Sequence, residues 1–148
     1  MDANQIQIDL KFMAQAIEEM AKSYDPINGK KVGCVIVKKN VIVGRGFRNL
    51  FIVKESPYLD ICFHAEHIAL MEAGEHSKGS TMYCTMEPCT KRHAGSWNKM
   101  DIPDSCSDMI IKSGVSRLVY FESDNGEGSG GKEHLIKAGL KVSQIKLI

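Results

Sequence analysis

The sequence predicts an α/β protein, a three-layer α/β/α sandwich around one five-stranded mixed sheet. Three observations predict it. Runs of strand length recur at 32–37, 41–47, 81–85, 117–121 and 141–145, the first two rich in valine and isoleucine. Helix-period stretches precede and separate most of them, the alternation that layers helices on a sheet. The last two runs are separated by a helical stretch, the crossover that a parallel pair needs, whereas only Lys38, Lys39 and Asn40 separate the first two, a gap that suits an antiparallel hairpin.

The elements follow in order. Leu10, Met13, Ala14, Ile17, Met20 and Ala21 recur at three- and four-residue steps with charges between them, so a first helix is expected to lay these residues on the sheet and to end before Pro26. After the hairpin at 32–47, residues 48–63 read as irregular, and a loop of that length just before a histidine is a candidate rim for a substrate pocket. A helix is expected over 65–73, opened at His64 and closed by Gly74. The strand at 81–85 delivers Glu87, Pro88 and Cys89 at its C-terminal end, where ligands gather in open α/β sheets. A further helix opens at Cys106 and stops at Gly114, with Ser105 as N-cap and Asp108 three residues on. A strand at 117–121, a glycine-rich turn, a short helix at 132–138 and the strand at 141–145 complete the chain.

Composition sets bounds on function. At 148 residues, 1–148 is expected to be a single domain with an insertion at 90–105, and no repeat or linker interrupts it. Hydrophobic residues make up 43% and charged residues 25%, ordinary globular values that argue against disorder. A formal net charge of +1 argues against a nucleic-acid partner. No run approaches a membrane span and no targeting segment opens the chain, so a cytoplasmic protein is expected. Five cysteines, an odd number, point to a metal site rather than to disulfides in a reducing compartment.

The metal chemistry rests on three residues. His64, Cys89 and Cys106 are donor types that Zn²⁺ favours, and three protein donors leave the fourth tetrahedral position open to water. Glu66 lies two residues past the histidine, within reach of such a water without being a ligand, and can carry its proton. Sixteen residues separate the two cysteines. Cys106 is paired with Cys89 because it opens a helix, whose positive end favours the thiolate that binds metal. His64 opens another helix, so the metal is expected between two helix ends.

His-Ala-Glu at 64–66 followed by Pro88-Cys89 corresponds to H-x-E…P-C, the mark of zinc deaminases that act on nucleobases, in which the second cysteine usually follows after two residues. Together with Val-Gly-Cys-Val-Ile-Val at 32–37, Lys-Gly-Ser-Thr-Met-Tyr at 78–83, Thr-Met-Glu-Pro-Cys at 85–89 and Ser-Gly-Val at 113–115, it makes the sequence resemble the cytidine and deoxycytidylate deaminase superfamily over most of its length. Within that group it is most similar to the riboflavin-pathway pyrimidine deaminases. Met-Glu-Ala-Gly-Glu at 71–75, Glu-Pro-Cys-Thr-Lys-Arg at 87–92 with Gly95, the stretched cysteine spacing, and Gly130-Gly131 leading into Lys-Ala-Gly-Leu-Lys-Val at 137–142 carry this likeness. The resemblance implies a cytidine deaminase-like fold, Zn²⁺ as cofactor, and hydrolytic removal of an exocyclic amine from an aminopyrimidine carrying a ribosyl phosphate. It further implies a homo-oligomer; where those enzymes are often fused to a reductase, a stand-alone deaminase is expected here.

On that reading Glu66 takes a proton from the zinc-activated water, hydroxide adds to the ring carbon bearing the amine, and Glu66 protonates the ring nitrogen and then the departing ammonia. Asn28 before the first strand and Asn49 after the second are candidates for the sugar or base, and Lys91 and Arg92 for the phosphate. His93 is an alternative ligand, either replacing Cys106 or closing the site as a fourth donor. Trp97 either caps the pocket or anchors its own loop. Cys34, Cys62 and Cys84 read as small buried residues, His67 and His134 as packing or surface residues, and His76 as solvated. Residues 126–132 match G-x-x-x-x-G-K, but Glu133 stands where a phosphate-binding loop needs Ser or Thr, so a flexible connection is expected. The alternatives are a deoxycytidylate, cytidine or tRNA adenosine deaminase and, from another class, a non-catalytic zinc-stabilised binding module.

Overall fold

The computed structural model describes residues 3–26, 29–52, 60–90, 105–126 and 128–146, without the side chains at 51, 52, 60 and 61. Its elements are α1 (Ala3–Met20), β1 (Gly33–Lys38), β2 (Val41–Phe47), β3 (Asn49–Ile52), β4 (Asp60–Phe63), α2 (Ala65–Ala73), β5 (Thr81–Met86), α3 (Cys106–Ser113), β6 (Arg117–Glu122), α4 (Gly131–Lys137) and β7 (Lys141–Gln144). One sheet has the order β2-β1-β5-β6-β7. β1 is antiparallel to both β2 and β5, whereas β5–β6 and β6–β7 are parallel, so the mixed sheet and both expected strand relationships are present. The β1–β2 turn places Lys39 (φ 52°) and Asn40 (φ 62°) in the left-handed region, as a two-residue hairpin turn demands.

Strand alternation divides the core into two layers. Val35, Val37, Tyr83 and Val119 face α1 and meet Phe12, Met13 and Ala16. Cys34, Ile36, Met82, Cys84 and Leu118 face the other way and meet α2, α3 and α4 through Ala65, Ala69, Leu70, Ile110 and Leu135. Close approach on this second side depends on β2 having no side chain at two positions. A Cβ on Gly46 would lie 2.1 Å from the Ala65 carbonyl oxygen, and one on Gly44 would lie 2.3 Å from that of Ala69. Two glycines thus set the depth at which α2, and the histidine at its start, sits on the sheet.

Two expectations need correction. The buried face of α1 is Asp9, Phe12, Met13, Ala16 and Glu19, whereas Leu10 and Ile17 are exposed. The helix is rotated from the expected orientation because two of its acids, Asp9 and Glu19, find charged partners there. Asp9 accepts from the Tyr83 hydroxyl at 2.8 Å and from Arg117 at 2.8 and 2.6 Å, and Glu19 pairs with Lys22 and Arg45. A buried carboxylate satisfied by charged donors competes well with a buried leucine. Second, residues 48–63 are not wholly irregular: β3 and β4 pair antiparallel, Asn49 opposite Phe63 and Ile52 opposite Asp60, in a small second sheet. This ribbon is tied to the chain after α1 by the Leu50 N–H, which donates to the Tyr24 carbonyl at 2.7 Å.

Candidate active site

His64, Cys89 and Cys106 reach one point from three directions. His64 is the extended N-cap residue of α2 (φ −82°, ψ 144°), so its side chain leaves the helix at its open end. Cys106 is the first residue of α3, whose N-cap Ser105 accepts from the Asp108 N–H at 3.1 Å as the capping pattern predicts. Cys89 lies on the arm that leaves β5. That arm is held on two sides. The Cys89 carbonyl accepts from Ser107 N–H at 3.0 Å, and the Ser107 hydroxyl donates to the Pro88 carbonyl at 3.2 Å, which ties the arm to α3. The Thr90 N–H donates to the Gly128 carbonyl at 3.0 Å and its hydroxyl to that of Ser129 at 2.7 Å, which ties the arm to the turn before α4.

Glu87 completes this bracing, and sequence reasoning gave it no role. Its buried carboxylate accepts from the Asp124 N–H at 3.1 Å and from the Lys132 N–H at 2.7 Å. The G-x-x-x-x-G-K stretch therefore does hold an anion, but the anion is a side chain of the same protein. The expected flexible connection is instead a fastened one where it is described, and Gly131 lies so close to the arm that a Cβ there would come within 2.0 Å of the Pro88 carbonyl oxygen. The signal was available in the glycine pattern, but nothing in the sequence named Glu87 as the partner.

Nδ1 of His64 lies 3.1 Å from Sγ of Cys106 and 4.0 Å from Sγ of Cys89, and the three donor atoms all fall within 4.8 Å of one another. Tetrahedral zinc with bonds of about 2.0 Å to nitrogen and 2.3 Å to sulfur separates its donors by roughly 3.5–3.8 Å. The set therefore fits a zinc ion in both donor chemistry and spacing. Beside it is a cavity of about 20 Å³ lined by His64, Glu66, Cys89 and Glu87, with Lys30, Arg48 and Asp124 among its other walls. The pocket is half open to solvent, and its tight inner part is water-sized.

Glu66, on the first turn of α2, is buried beside these donors. Burial, reinforced by the Cys89 sulfur and only partly offset by a hydrogen bond from Cys106, pushes its carboxyl up to about 7. A carboxyl with affinity for a proton near neutral pH is suited to general acid and base work. Against the thiolate expected at a helix start, Cys106 is fully buried, and burial, the Cys89 contact and the Glu66 carboxylate hold its thiol well above the ordinary value. The helix end does not outweigh them, so a metal would have to displace this proton itself.

Of the other predicted residues, Asn49 opens β3 and is not among those lining the cavity. Asn28, Lys91, Arg92, His93 and Trp97 lie outside the described residues, as does most of the 90–105 insertion. Cys34, Cys62 and Cys84 are buried as expected, the first and last in sulfur contact at 3.3 Å. His67 is buried against the His64 ring, His134 bonds Asp108 at 2.8 Å, and His76 is exposed. Lys30 and Arg48 are pocket residues to which the sequence reading gave no role.

Comparison with known proteins gives concordant results. A family model described as the cytidine and deoxycytidylate deaminase zinc-binding region matches residues 6–122. The chain is 37% identical over 140 residues to the riboflavin biosynthesis protein RibD of Aquifex aeolicus, covering 92% of this chain and 34% of that protein. It is 36% identical over 147 residues to the diaminohydroxyphosphoribosylamino-pyrimidine deaminase of Buchnera aphidicola, covering 93% and 88%. Among solved structures, RibD of Acinetobacter baumannii superposes with a TM-score of 0.71 at 33% identity, over 95% of this chain and 36% of that one. The dCMP deaminase of cyanophage S-TIM5 gives 0.69 at 25% identity, over 98% and 100%. The chain thus spans about a third of the RibD proteins and 88% of the Buchnera deaminase. With the matched region extending from α1 through β6 and containing all of His64, Glu66, Cys89 and Cys106, the chain belongs to the cytidine and deoxycytidylate deaminase family.

Proposed function

We propose that this chain catalyses hydrolytic deamination of an aminopyrimidine nucleotide of the riboflavin-pathway type, converting a ring C–NH₂ and water into C=O and ammonia. The observation that carries the reading is Glu66, a buried carboxyl with raised proton affinity, next to a one-imidazole, two-thiol donor set. The names borne by the Aquifex and Buchnera relatives support the choice of substrate. His64, Cys89 and Cys106 would hold Zn²⁺, which when bound supplies a strongly nucleophilic water at neutral pH.

Glu66 then acts through its carboxylate oxygens. It accepts one proton of the attacking water and delivers it to the ring nitrogen beside the reacting carbon. It then takes the second from the hydroxyl now on that carbon and passes it to the amine, which leaves as ammonia as the C–N bond breaks and C=O forms. Burial keeps bulk water from competing for those protons. Asn28 and Asn49 are proposed to meet the sugar or base; Lys91 and Arg92 are the candidates that the sequence offers for the phosphate. The protein is proposed to act as a homo-oligomer in the cytoplasm, and no helix among the described residues is long and apolar enough to cross a membrane.

One observation favours dCMP as a second reading: the cyanophage dCMP deaminase matches this chain end to end. A panel assay for released ammonia decides between the two. The zinc-loaded protein is offered diaminohydroxyphosphoribosylaminopyrimidine, dCMP, cytidine and guanine. Fastest turnover of the first compound is expected, and dCMP turning over faster would replace the substrate assignment. Glu66→Gln should retain zinc and fold while ammonia release falls by about 10²–10⁴-fold, and undiminished activity would overturn the mechanism.

A further inference from the structure

The family contains proteins named for both nucleoside and nucleotide substrates, so the described pocket must be asked which side chains could read a phosphate. Two cations line it, Lys30 and Arg48, and they differ in how they are held.

Arg48 is fixed at every level. Its N–H donates to the Val32 carbonyl at 2.9 Å, and its own carbonyl accepts from Tyr24 N–H at 3.2 Å, which clips its backbone between the start of β1 and the chain after α1. Its guanidinium Nε contacts Oδ2 of Asp25 at 3.3 Å; the Asp25 side chain is completely buried and that of Arg48 is 11% exposed. A guanidinium has five N–H donors in a planar fork, and this contact uses one. Asp25 therefore orients the fork while leaving donors to serve the pocket. Lys30, two residues before Val32, is exposed at the same pocket and has no ion pair among the described residues. The pair thus combines a rigid, directional donor with an exposed point charge whose field also reaches Glu66. Phosphate is an acceptor that uses both, the fork through paired oxygens and the ammonium through charge. Three carboxyl groups, Glu66, Glu87 and Asp124, also line the pocket; both oxygens of Glu87 are engaged by backbone N–H groups, and Oδ1 of Asp124 accepts from the Gly126 N–H.

We propose that Arg48, oriented by Asp25, and Lys30 receive the phosphate of the substrate and make this site specific for nucleotides over nucleosides. The proposal rests on the aminopyrimidine deaminase reading, and the test separates the two. Binding of uridine 5′-monophosphate and of uridine to the zinc-loaded protein is measured by calorimetry, with wild type, Arg48→Ala, Arg48→Lys, Lys30→Ala, Asp25→Asn and the Lys91→Ala/Arg92→Ala double variant. Melting temperature and zinc content serve as folding controls.

Wild type should bind the nucleotide at least about tenfold more tightly than the nucleoside, a difference on the scale of one charge-assisted phosphate contact. Arg48→Ala should reduce that preference to about twofold or less with little change in uridine affinity. Arg48→Lys should recover part of it, Lys30→Ala should lose part of it, and Asp25→Asn, through its positioning role, should weaken nucleotide binding more than nucleoside binding. A preference absent from wild type overturns the proposal. So does one that survives in both Arg48→Ala and Lys30→Ala, and its loss only in the Lys91/Arg92 variant would place phosphate recognition there. Should the phosphate preference follow Arg48 while no aminopyrimidine releases ammonia, the deaminase reading fails and the phosphate assignment stands.

Discussion

Gly46→Ala tests whether the seating of α2 on β2 is what positions the catalytic end of that helix. The added Cβ would lie 2.1 Å from the Ala65 carbonyl oxygen and 2.8 Å from the Ala69 nitrogen, against an ordinary contact of 3.4 Å or more. The obstruction is backbone, so no side chain can rotate away, and the helix start must withdraw by about 1.3 Å. Overpacking on this scale costs about 2–3 kcal/mol, which for a chain of this length lowers the melting temperature by roughly 5–10 °C. Ala65 stands between His64 and Glu66, so both shift with it. A displacement near 1 Å of groups that must meet a reacting atom costs roughly a hundredfold in turnover. Thermal unfolding, zinc content and ammonia release are measured together, with Gly79→Ala as the comparison. Gly79 has φ +76° and nothing within 4 Å of its Cβ position, so that variant carries backbone strain of about 1–2 kcal/mol and no steric push on the site. Gly46→Ala retaining wild-type melting and turnover would refute the reasoning, as would equal loss of turnover in Gly79→Ala.

Two further predictions address the supports of the site and of the core. Glu87→Ala leaves the N–H groups of Asp124 and Lys132 without their carboxylate and releases the Cys89 arm from the turn before α4. Zinc should be lost to a competing chelator about 10–100-fold more readily, with partial recovery in Glu87→Gln; unchanged zinc affinity would remove Glu87 from the site. Asp9 gives the expected pH dependence. Burial raises its carboxyl pKa, but hydrogen bonds from Arg117, Tyr83 and Gln5 and the Arg117 charge outweigh that and hold it below the ordinary value. Because the folded value is depressed, its stabilisation is complete above the unfolded carboxyl pKa of about 3.9 and is lost as pH falls through the folded value. Asp9→Asn should therefore cost about 3 kcal/mol at pH 7 in urea unfolding, and its stability should fall less steeply than that of wild type below about pH 4. Parallel curves for the two proteins would contradict the account.

What the sequence disclosed and what it hid have physical reasons. The convergence of His64, Cys89 and Cys106 was legible because each is tied to an element boundary that local chemistry marks: the cap at Ser105, the helix start at His64 and the proline that ends a strand. The sheet was legible through apolar period and gap length. The orientation of α1 was not, because Leu10 and Ile17 outrank Asp9 and Glu19 on any scale of hydrophobicity, and only the partners Arg117 and Arg45 reverse that ranking. Those partners are remote in sequence. The same holds for Asp25 with Arg48 and for Glu87 with Lys132, long-range polar pairs that carry no periodic signature. The β3–β4 ribbon was missed because four-residue strands separated by a longer connection give too little alternation to read.

X-ray absorption at the zinc edge of the metal-loaded protein tests the central claim most directly. The account predicts one zinc per chain with two sulfurs at about 2.3 Å and two lighter donors near 2.0 Å, the His64 imidazole and a solvent oxygen that substrate or product can displace. Cys106→Ser should remove one sulfur from that shell. A shell closed by a fourth protein side chain, or two sulfurs that persist in Cys106→Ser, would contradict it.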